Sequence, residues 1–299
     1  MNDIERRHET TIARLVASPG RIFVVGGVDS GKTTFCRRLA AAGLEAGHAT
    51  AVVDADLGQS TIGPPGTVGL KRIQSPEDLT AEAMVRPDAM AFVGSVSPRG
   101  HFLPLVVGTA KLVMRAIELG SRLIVVDTSG LIEGVAGQML KLTKAELCRP
   151  HHVVALARGG ELEPVIGVLS RFLDLEVSEL DVDADVSVRS VEERSVHREG
   201  ALAAFLGPDV YRWRVKPTVF LPTLPPGFDH TVLDGLLVGV DDGTGGCLGL
   251  GILESRDDAL RLLTPVSEGV KALRLGSIRV TTEGKITGTV DLRAMLGTD

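Results

Sequence analysis

The chain is poor in aromatic residues, which make up 3% of its 299 positions, and poor in cysteine, of which it has three. A core with so few rings must rest on Val, Leu, Ile and Ala. Cys36, Cys148 and Cys247 are far apart and odd in number, and no Cys-x-x-Cys pair occurs, so neither a disulfide framework nor a zinc site is suggested. Three reduced thiols in a cytosolic protein are expected. An excess of positive charge is also missing. The formal net charge is −6, which gives no general attraction to nucleic acid and leaves any such contact to a local basic surface. No apolar run approaches a membrane span. The opening MNDIERRHETTIARLVA carries charges throughout and has no apolar signal core, so a cytoplasmic protein with no membrane partner is expected.

Glycine is abundant, at 35 residues, which fits many tight turns between short elements. Residues 3 to 17 read as an amphipathic helix with Ile4, Ile12, Leu15 and Val16 on its apolar side. Buried-type strands follow at Arg21–Val25, Thr50–Asp54, Ala89–Val93, Leu123–Asp127 and Val153–Leu156. Helices are expected over 32–46, 103–119 and 135–148, and the Gly- and Pro-rich stretch 57–75 reads as a long ordered loop. This alternation predicts an α/β fold, a parallel sheet with helices on both faces, and the Gly-rich segment Gly26–Thr33 between its first strand and helix makes it a P-loop NTPase sheet. Gly26, Asp54, Gly94 and Asp127 would gather at the carboxyl edge, where such sheets bind ligands. Texture changes at Lys216-Pro217, after which strand-like segments broken by Gly turns predict a small C-terminal β-rich domain. The expected division is an N-terminal helix over 1–20, a nucleotide-binding domain over 21–215 and the β-rich domain over 216–299.

Gly26-Gly-Val-Asp-Ser-Gly-Lys-Thr33 fits G-x-x-x-x-G-K-[ST] between a strand and a helix, the context in which backbone amides cradle phosphates. Lys32 would bridge the β- and γ-phosphates of ATP, and the Thr33 hydroxyl would ligate Mg2+. Gly26, Asp29, Ser30, Gly31 and Thr34 complete the expected nucleotide contacts. In Asp54-Ala-Asp56-Leu-Gly-Gln59, one carboxylate could hold a magnesium water and the other could accept a proton from an attacking hydroxyl. Asp127-Thr-Ser-Gly130 has the D-x-x-G form of a γ-phosphate sensor, or is a strand-terminal turn. Arg99 and His101, in a polar loop after a strand, could grip a substrate phosphate or belong to an exposed turn. Arg189, Arg194 and Arg198 lie in SVRSVEERSVHREGALAAF, which reads as a helix. It is either a solvated face or a lid that brings an arginine over the transferring phosphate.

Taken in order, GGVDSGKTT, DADLGQSTIGPPGTVG, FVGSVSPRGH, VVDTSGLIEG, ALARGGELE and RSVEERSVHRE resemble the polynucleotide 5′-hydroxyl kinase family over roughly residues 20 to 205. That family includes the messenger-RNA cleavage-factor kinase, the ribosomal-RNA-processing kinases and archaeal RNA kinases. The D-x-D-x-G-Q element with the following P-G-T is the most specific part. The resemblance implies transfer of the γ-phosphate of ATP to the 5′-hydroxyl of RNA in preference to DNA. It gives Lys32 and Thr33 to ATP and magnesium, Asp56 to the metal water or proton, Gln59 to that site's support, Thr128 and Gly130 to the segment that clasps the phosphates, and Arg194 or a neighbour to the lid. Asp54 is kept with Thr33 and Asp56 as a candidate metal residue. Leu131 stands where several eukaryotic members carry Trp.

Two other readings use the same motifs: a nucleotide-dependent switch, and a scaffold holding ATP as a structural ligand. Against the switch, position 27 is Gly where the K-G-G-x-G-K variant loop has lysine, and no N-K-x-D follows Leu156.

Overall fold

The computed structural model describes residues 2–182, 189–257 and 259–296. The chain opens with α1 (Asp3–Ala17), whose first turn is capped by Asn2 accepting from the Glu5 amide at 2.7 Å. Then come β1 (Arg21–Gly26), α2 (Lys32–Glu45), β2 (Thr50–Ala55), β3 (Thr67–Ile73), α3 (Ala81–Met84), β4 (Ala89–Phe92), α4 (Phe102–Glu118), β5 (Leu123–Thr128), α5 (Gly134–Cys148), β6 (His152–Ala157), α6 (Glu163–Phe172), β7 (Glu176–Asp181) and α7 (Val191–Leu206). These strands form one sheet in the order β4-β3-β2-β5-β1-β6-β7. Its central strands are parallel and almost wholly buried, as apolar runs such as Leu123-Ile-Val-Val require. Ile12, Leu15, Phe35 and Leu39 cover one face; Leu105, Leu112, Leu140 and Leu169 cover the other.

One correction concerns 57–75. Its second half is not loop: Thr67–Ile73 forms β3, antiparallel to both β2 and β4, so the sheet is mixed. Gly and Pro mark only the approach to it. Val68 and Leu70 are fully buried in the sheet core, which overrides the local turn chemistry.

The order places β1 between β5 and β6, with later strands continuing to either side. The chain leaving β1 therefore stands at the switch point of the sheet, with β5 and β2 beside it.

The remaining elements are β8 (Tyr211–Arg214), β9 (Phe220–Leu221), β10 (Leu236–Asp241), β11 (Cys247–Arg256), β12 (Ala259–Thr264), β13 (Ala272–Val280), β14 (Ile286–Thr289) and α8 (Leu292–Leu296). They make a second sheet, β14-β13-β10-β11-β12-β8, with β9 on β13. β8 pairs with β12 through Tyr211↔Thr264 and Trp213↔Leu262, so this sheet reaches back across the change of texture at Lys216-Pro217. Its junction with the first sheet is close. The Gly94 carbonyl accepts from the Ser277 amide at 2.7 Å, and the Phe92 ring lies where a Cβ on Gly239 would come within 2.4 Å of it. Among the described residues no helix is long and apolar enough to cross a membrane. Ser187 and Val188, where the arginine-bearing helix was expected to start, lie outside the described residues, as do Asp258 and positions 297–299 of the β-rich domain.

Candidate functional site

The turn after β1 ends at Gly31, in the left-handed region at φ 81°, and runs directly into α2. Lys32 is buried and folds back over this loop, with Nζ donating to the Gly27 carbonyl at 2.5 Å and 3.5 Å from Ser30 Oγ. Arg158, at the end of β6, braces the loop from behind through the Val28 carbonyl at 3.2 Å and the Asp29 carbonyl. Asp29 through Thr34, with Asp56, Gln59 and Arg189, line a cavity of about 450 Å³. Its polar, amide-rich floor at a helix N-terminus suits a chain of phosphates.

β5 delivers the acid of this site. Thr33 Oγ1 donates to Asp127 Oδ2 at 2.6 Å, and Asp127 Oδ1 is buried with no hydrogen-bond partner among the described residues. Burial pushes the Asp127 carboxyl up to about 6, partly offset by the Lys32 charge and the Thr33 hydroxyl. A hydroxyl beside an orphaned carboxylate oxygen is a donor set that fits Mg2+, which takes one or two protein oxygens and fills its shell with phosphates and water. No group of three or more His, Cys, Asp or Glu capable of caging a metal occurs among the described residues. Asp127 was expected at the ligand edge of the sheet and as the head of D-x-x-G, but not as the partner of Thr33.

Asp54 stands next to Asp127 across the β2–β5 register. Its oxygens are engaged by the following loop: Oδ1 accepts from the Asp56 amide at 2.9 Å, and Oδ2 from the Thr61 amide at 2.6 Å, Thr61 Oγ1 at 3.0 Å and the Ile62 amide at 3.2 Å. Burial and the neighbouring Asp127 charge push its carboxyl up to about 7. Asp54 shapes the loop, in place of the metal contact expected for it. Asp56 in turn accepts from the Gly58 and Gln59 amides through Oδ1, both at 3.1 Å, while its Oδ2 makes no hydrogen bond among the described residues.

Thr128 also departs from expectation. Its hydroxyl is fully buried, donating to the Val24 carbonyl at 2.9 Å and accepting from Lys141 Nζ at 2.9 Å, so it locks β5 to β1 and does not face phosphates. Gly130 does adjoin the P-loop: a Cβ there would come within 2.7 Å of the Val28 side chain, which only glycine avoids. Lys141 also donates to the Ser129 carbonyl, fixing the turn. It lies wholly within the fold, and burial first, then the Lys144 charge, holds its ammonium well below the usual lysine range. Neither lysine was singled out from the sequence, because on α5 they look like an ordinary solvated face.

Asp56, Gln59 and Val28 also line a second cavity, of about 340 Å³, with Ser97, Arg99, Gly130, Leu131, Arg194 and Arg198. Arg194 and Arg198, one helical turn apart, face it together. Arg198 Nε is buried there without a partner among the described residues. Arg99 lines this cavity, whereas His101 is not on its wall; its Nδ1 lies 3.1 Å from the Arg99 carbonyl, a local turn contact. α7 and the residue before its cap are tied to the P-loop: Asp29 Oδ2 accepts from the Arg189 amide at 3.1 Å and from Arg194 Nη1 at 3.3 Å. Gln59 completes the tie, with Nε2 reaching the Arg194 carbonyl at 3.4 Å and Oε1 accepting from Arg189 Nη1 at 3.3 Å.

Residues 26–206 match the family described as mRNA cleavage and polyadenylation factor CLP1 P-loop. The chain is similar to a polyribonucleotide 5′-hydroxyl-kinase of Pyrococcus abyssi, at 28% identity over 98% of both chains. It is similar to another so named from Pyrococcus furiosus, at 30% identity over 97% of this chain and 96% of the relative. In structure it resembles Clp1p in the Clp1p–Pcf11p complex, with a TM-score of 0.71 over 92% of this chain and 78% of that one; at 15% identity this speaks for the fold alone.

Proposed function

The chain belongs to the CLP1 P-loop family, and from that premise we propose that it is an ATP-dependent polyribonucleotide 5′-hydroxyl kinase. The observation that carries the proposal is the meeting of two cavities at Asp56 and Gln59: one floored by P-loop amides, the other walled by Arg99, Arg194 and Arg198. A phosphate donor and a polyanionic acceptor need such adjoining compartments, with a proton acceptor at the junction.

Thr33 and Asp127 would hold magnesium, which neutralises charge on the β- and γ-phosphates. The amides of residues 29–34 and Lys32 bind and orient those phosphates. Asp56 takes the proton of the 5′-hydroxyl as that oxygen bonds to the γ-phosphorus and the bond to the β–γ bridging oxygen breaks, releasing ADP. Arg194 and Arg198 meet the charge of the transferring group, and Arg99 the acceptor strand's phosphate. Asp54 and Lys141 hold the two loops on which these groups depend. The acceptor is RNA in preference to DNA, and the setting is cytoplasmic.

Conditional turnover is the test. ATP hydrolysis or transfer should require an oligonucleotide with a free 5′-hydroxyl and should vanish when the same oligonucleotide carries a 5′-phosphate. Turnover indifferent to the oligonucleotide would favour a switch, and bound ATP that never turns over would favour a scaffold.

A further inference from the structure

The chain has one tryptophan and one tyrosine, and both lie on β8. Two positions apart, Tyr211 and Trp213 share a face of the strand. They are 50% and 40% exposed, with ring centroids 6.4 Å apart and planes tilted by 42°. Rings of this size are normally spent on a core; here the sole members of their kinds are held at the rim of a sheet. β8 is the terminal strand of that sheet, pairing with β12 alone among the described residues.

The charge around the rings is as pointed. Tyr211–Lys216 holds Arg212, Arg214 and Lys216 and no acid, in a chain whose formal net charge is −6. Arg212 and Arg261 share Glu254, at 4.0 and 3.8 Å, and Arg261 also pairs with Asp257 at 3.3 Å. Arg214 and Lys216 have no ion pair among the described residues. Arg214 stands directly opposite Arg261 in the β8–β12 register, and since Glu254 and Asp257 are taken up by Arg261 and Arg212, it is left as the uncompensated charge of the group.

We propose that β8 is a stacking platform for single-stranded RNA, with bases of the substrate strand on Tyr211 and Trp213 on one face and its phosphates passing the open edge within reach of Arg214 and Lys216, which alternate to the other face. Alternating rings and cations on an open strand supply the two things a single strand offers to bind, π-faces and backbone charge. A protein partner docking through apolar area would need a larger apolar patch than two half-exposed rings provide. Placement agrees. β8 follows closely on α7, whose Arg194 and Arg198 line the acceptor cavity. From Arg198 the helix runs eight residues to Leu206, about 12 Å at 1.5 Å per residue, and β8 begins only at Tyr211, so an acceptor confined to the cavity does not reach the platform and a longer strand is needed. The identity of the strand rests on the kinase reading; the binding surface does not.

Trp213 is its own reporter. Its fluorescence should be quenched by a 5′-hydroxyl RNA of about 20 nucleotides, less so as salt rises, and unchanged by ATP or a trinucleotide. Tyr211→Ala and Arg214→Gln should each raise KM for the long RNA by about tenfold, leaving kcat and the KM for the trinucleotide as in the wild type. Unchanged fluorescence at RNA concentrations that saturate binding overturns the platform, as does an equal loss on short and long acceptors. If no oligonucleotide is phosphorylated at all, the kinase reading fails, while the quench still decides whether β8 binds the strand.

Discussion

Lys144 offers a stability test whose size follows from its surroundings. It sits on the inner side of α5, fully buried, and its ammonium has no hydrogen-bond partner among the described residues. Burial lowers its pKa from 10.5 to about 8, despite the favourable charges of Asp56, Asp54 and Asp127 nearby. Replacing it with Met keeps the volume and removes the charge, so no cavity opens. The unfolded chain protonates this lysine below 10.5 while the folded chain resists until about 8; the fold therefore carries its full electrostatic cost below pH 8 and sheds it as pH rises to 10.5. That cost is about 3 kcal/mol at neutral pH, from the size of the shift. Lys144→Met should accordingly be more stable than the wild type at pH 7, raising Tm by several degrees, with the advantage shrinking at pH 10. Thermal unfolding of both proteins across this range measures it. A variant less stable at pH 7, or an advantage that does not change with pH, would refute the argument and mean that Lys144 is held by partners that compensate its burial.

Asp56→Asn should lower kcat far more than it weakens ATP binding, because a proton acceptor acts in the transition state, whereas Asp54→Asn should first loosen the loop from Asp56 to Ile62 and show as a lower Tm; steady-state kinetics beside thermal unfolding separate the two. Lys141→Met should lower kcat while Tm is kept or raised, since a costly buried charge is lost along with the positioning of the Ser129 turn; equal losses of both would make it merely structural. For Asp127, the proton competes with the cation, so magnesium-dependent nucleotide affinity should fall as pH drops through about 6 and the carboxyl is neutralised; titrations at pH 5 to 8 should show the dependence in wild type and not in Asp127→Asn. Arg194→Lys should stay well below the wild-type rate in single-turnover transfer, and Arg194→Ala lower still, with ATP affinity little changed, because an ammonium cannot reproduce a guanidinium's paired hydrogen bonds.

Much of this was legible in the sequence for identifiable reasons. The P-loop reads directly because its chemistry is backbone geometry written in glycines, and the central strands read because burial on both faces leaves unbroken apolar runs such as Ile22-Phe-Val-Val25. β3 was hidden by the Gly- and Pro-rich chain leading into it, and β7, Glu-Val-Ser-Glu-Leu-Asp, by its place at an exposed edge where only Leu180 is buried. At the site, the signal D-x-D could not say which acid faces the ligand. That depended on the chain after Asp54 turning back so that Thr61 and Ile62 occupy its oxygens, a tertiary event. Likewise Thr128 has the right sequence for a phosphate contact but lies inside the sheet, where its hydroxyl meets Val24 and Lys141. The arginines in and just before α7 were recognisable as a group. Their division, Arg189 on one cavity and Arg194 with Arg198 on the other, needed the helix to be docked on the P-loop.

The central claim, that the two cavities joined at Asp56 serve a phosphate donor and a 5′-hydroxyl acceptor, is tested most directly by following label from the γ-phosphate of ATP. Wild-type protein, with magnesium, is incubated with matched RNA and DNA oligonucleotides bearing a free 5′-hydroxyl, and the labelled position is mapped. Label on the 5′ oxygen of the RNA, less on the DNA, and none with Lys32→Ala is the predicted result. No label on either oligonucleotide, with ATP bound or hydrolysed all the same, would contradict it.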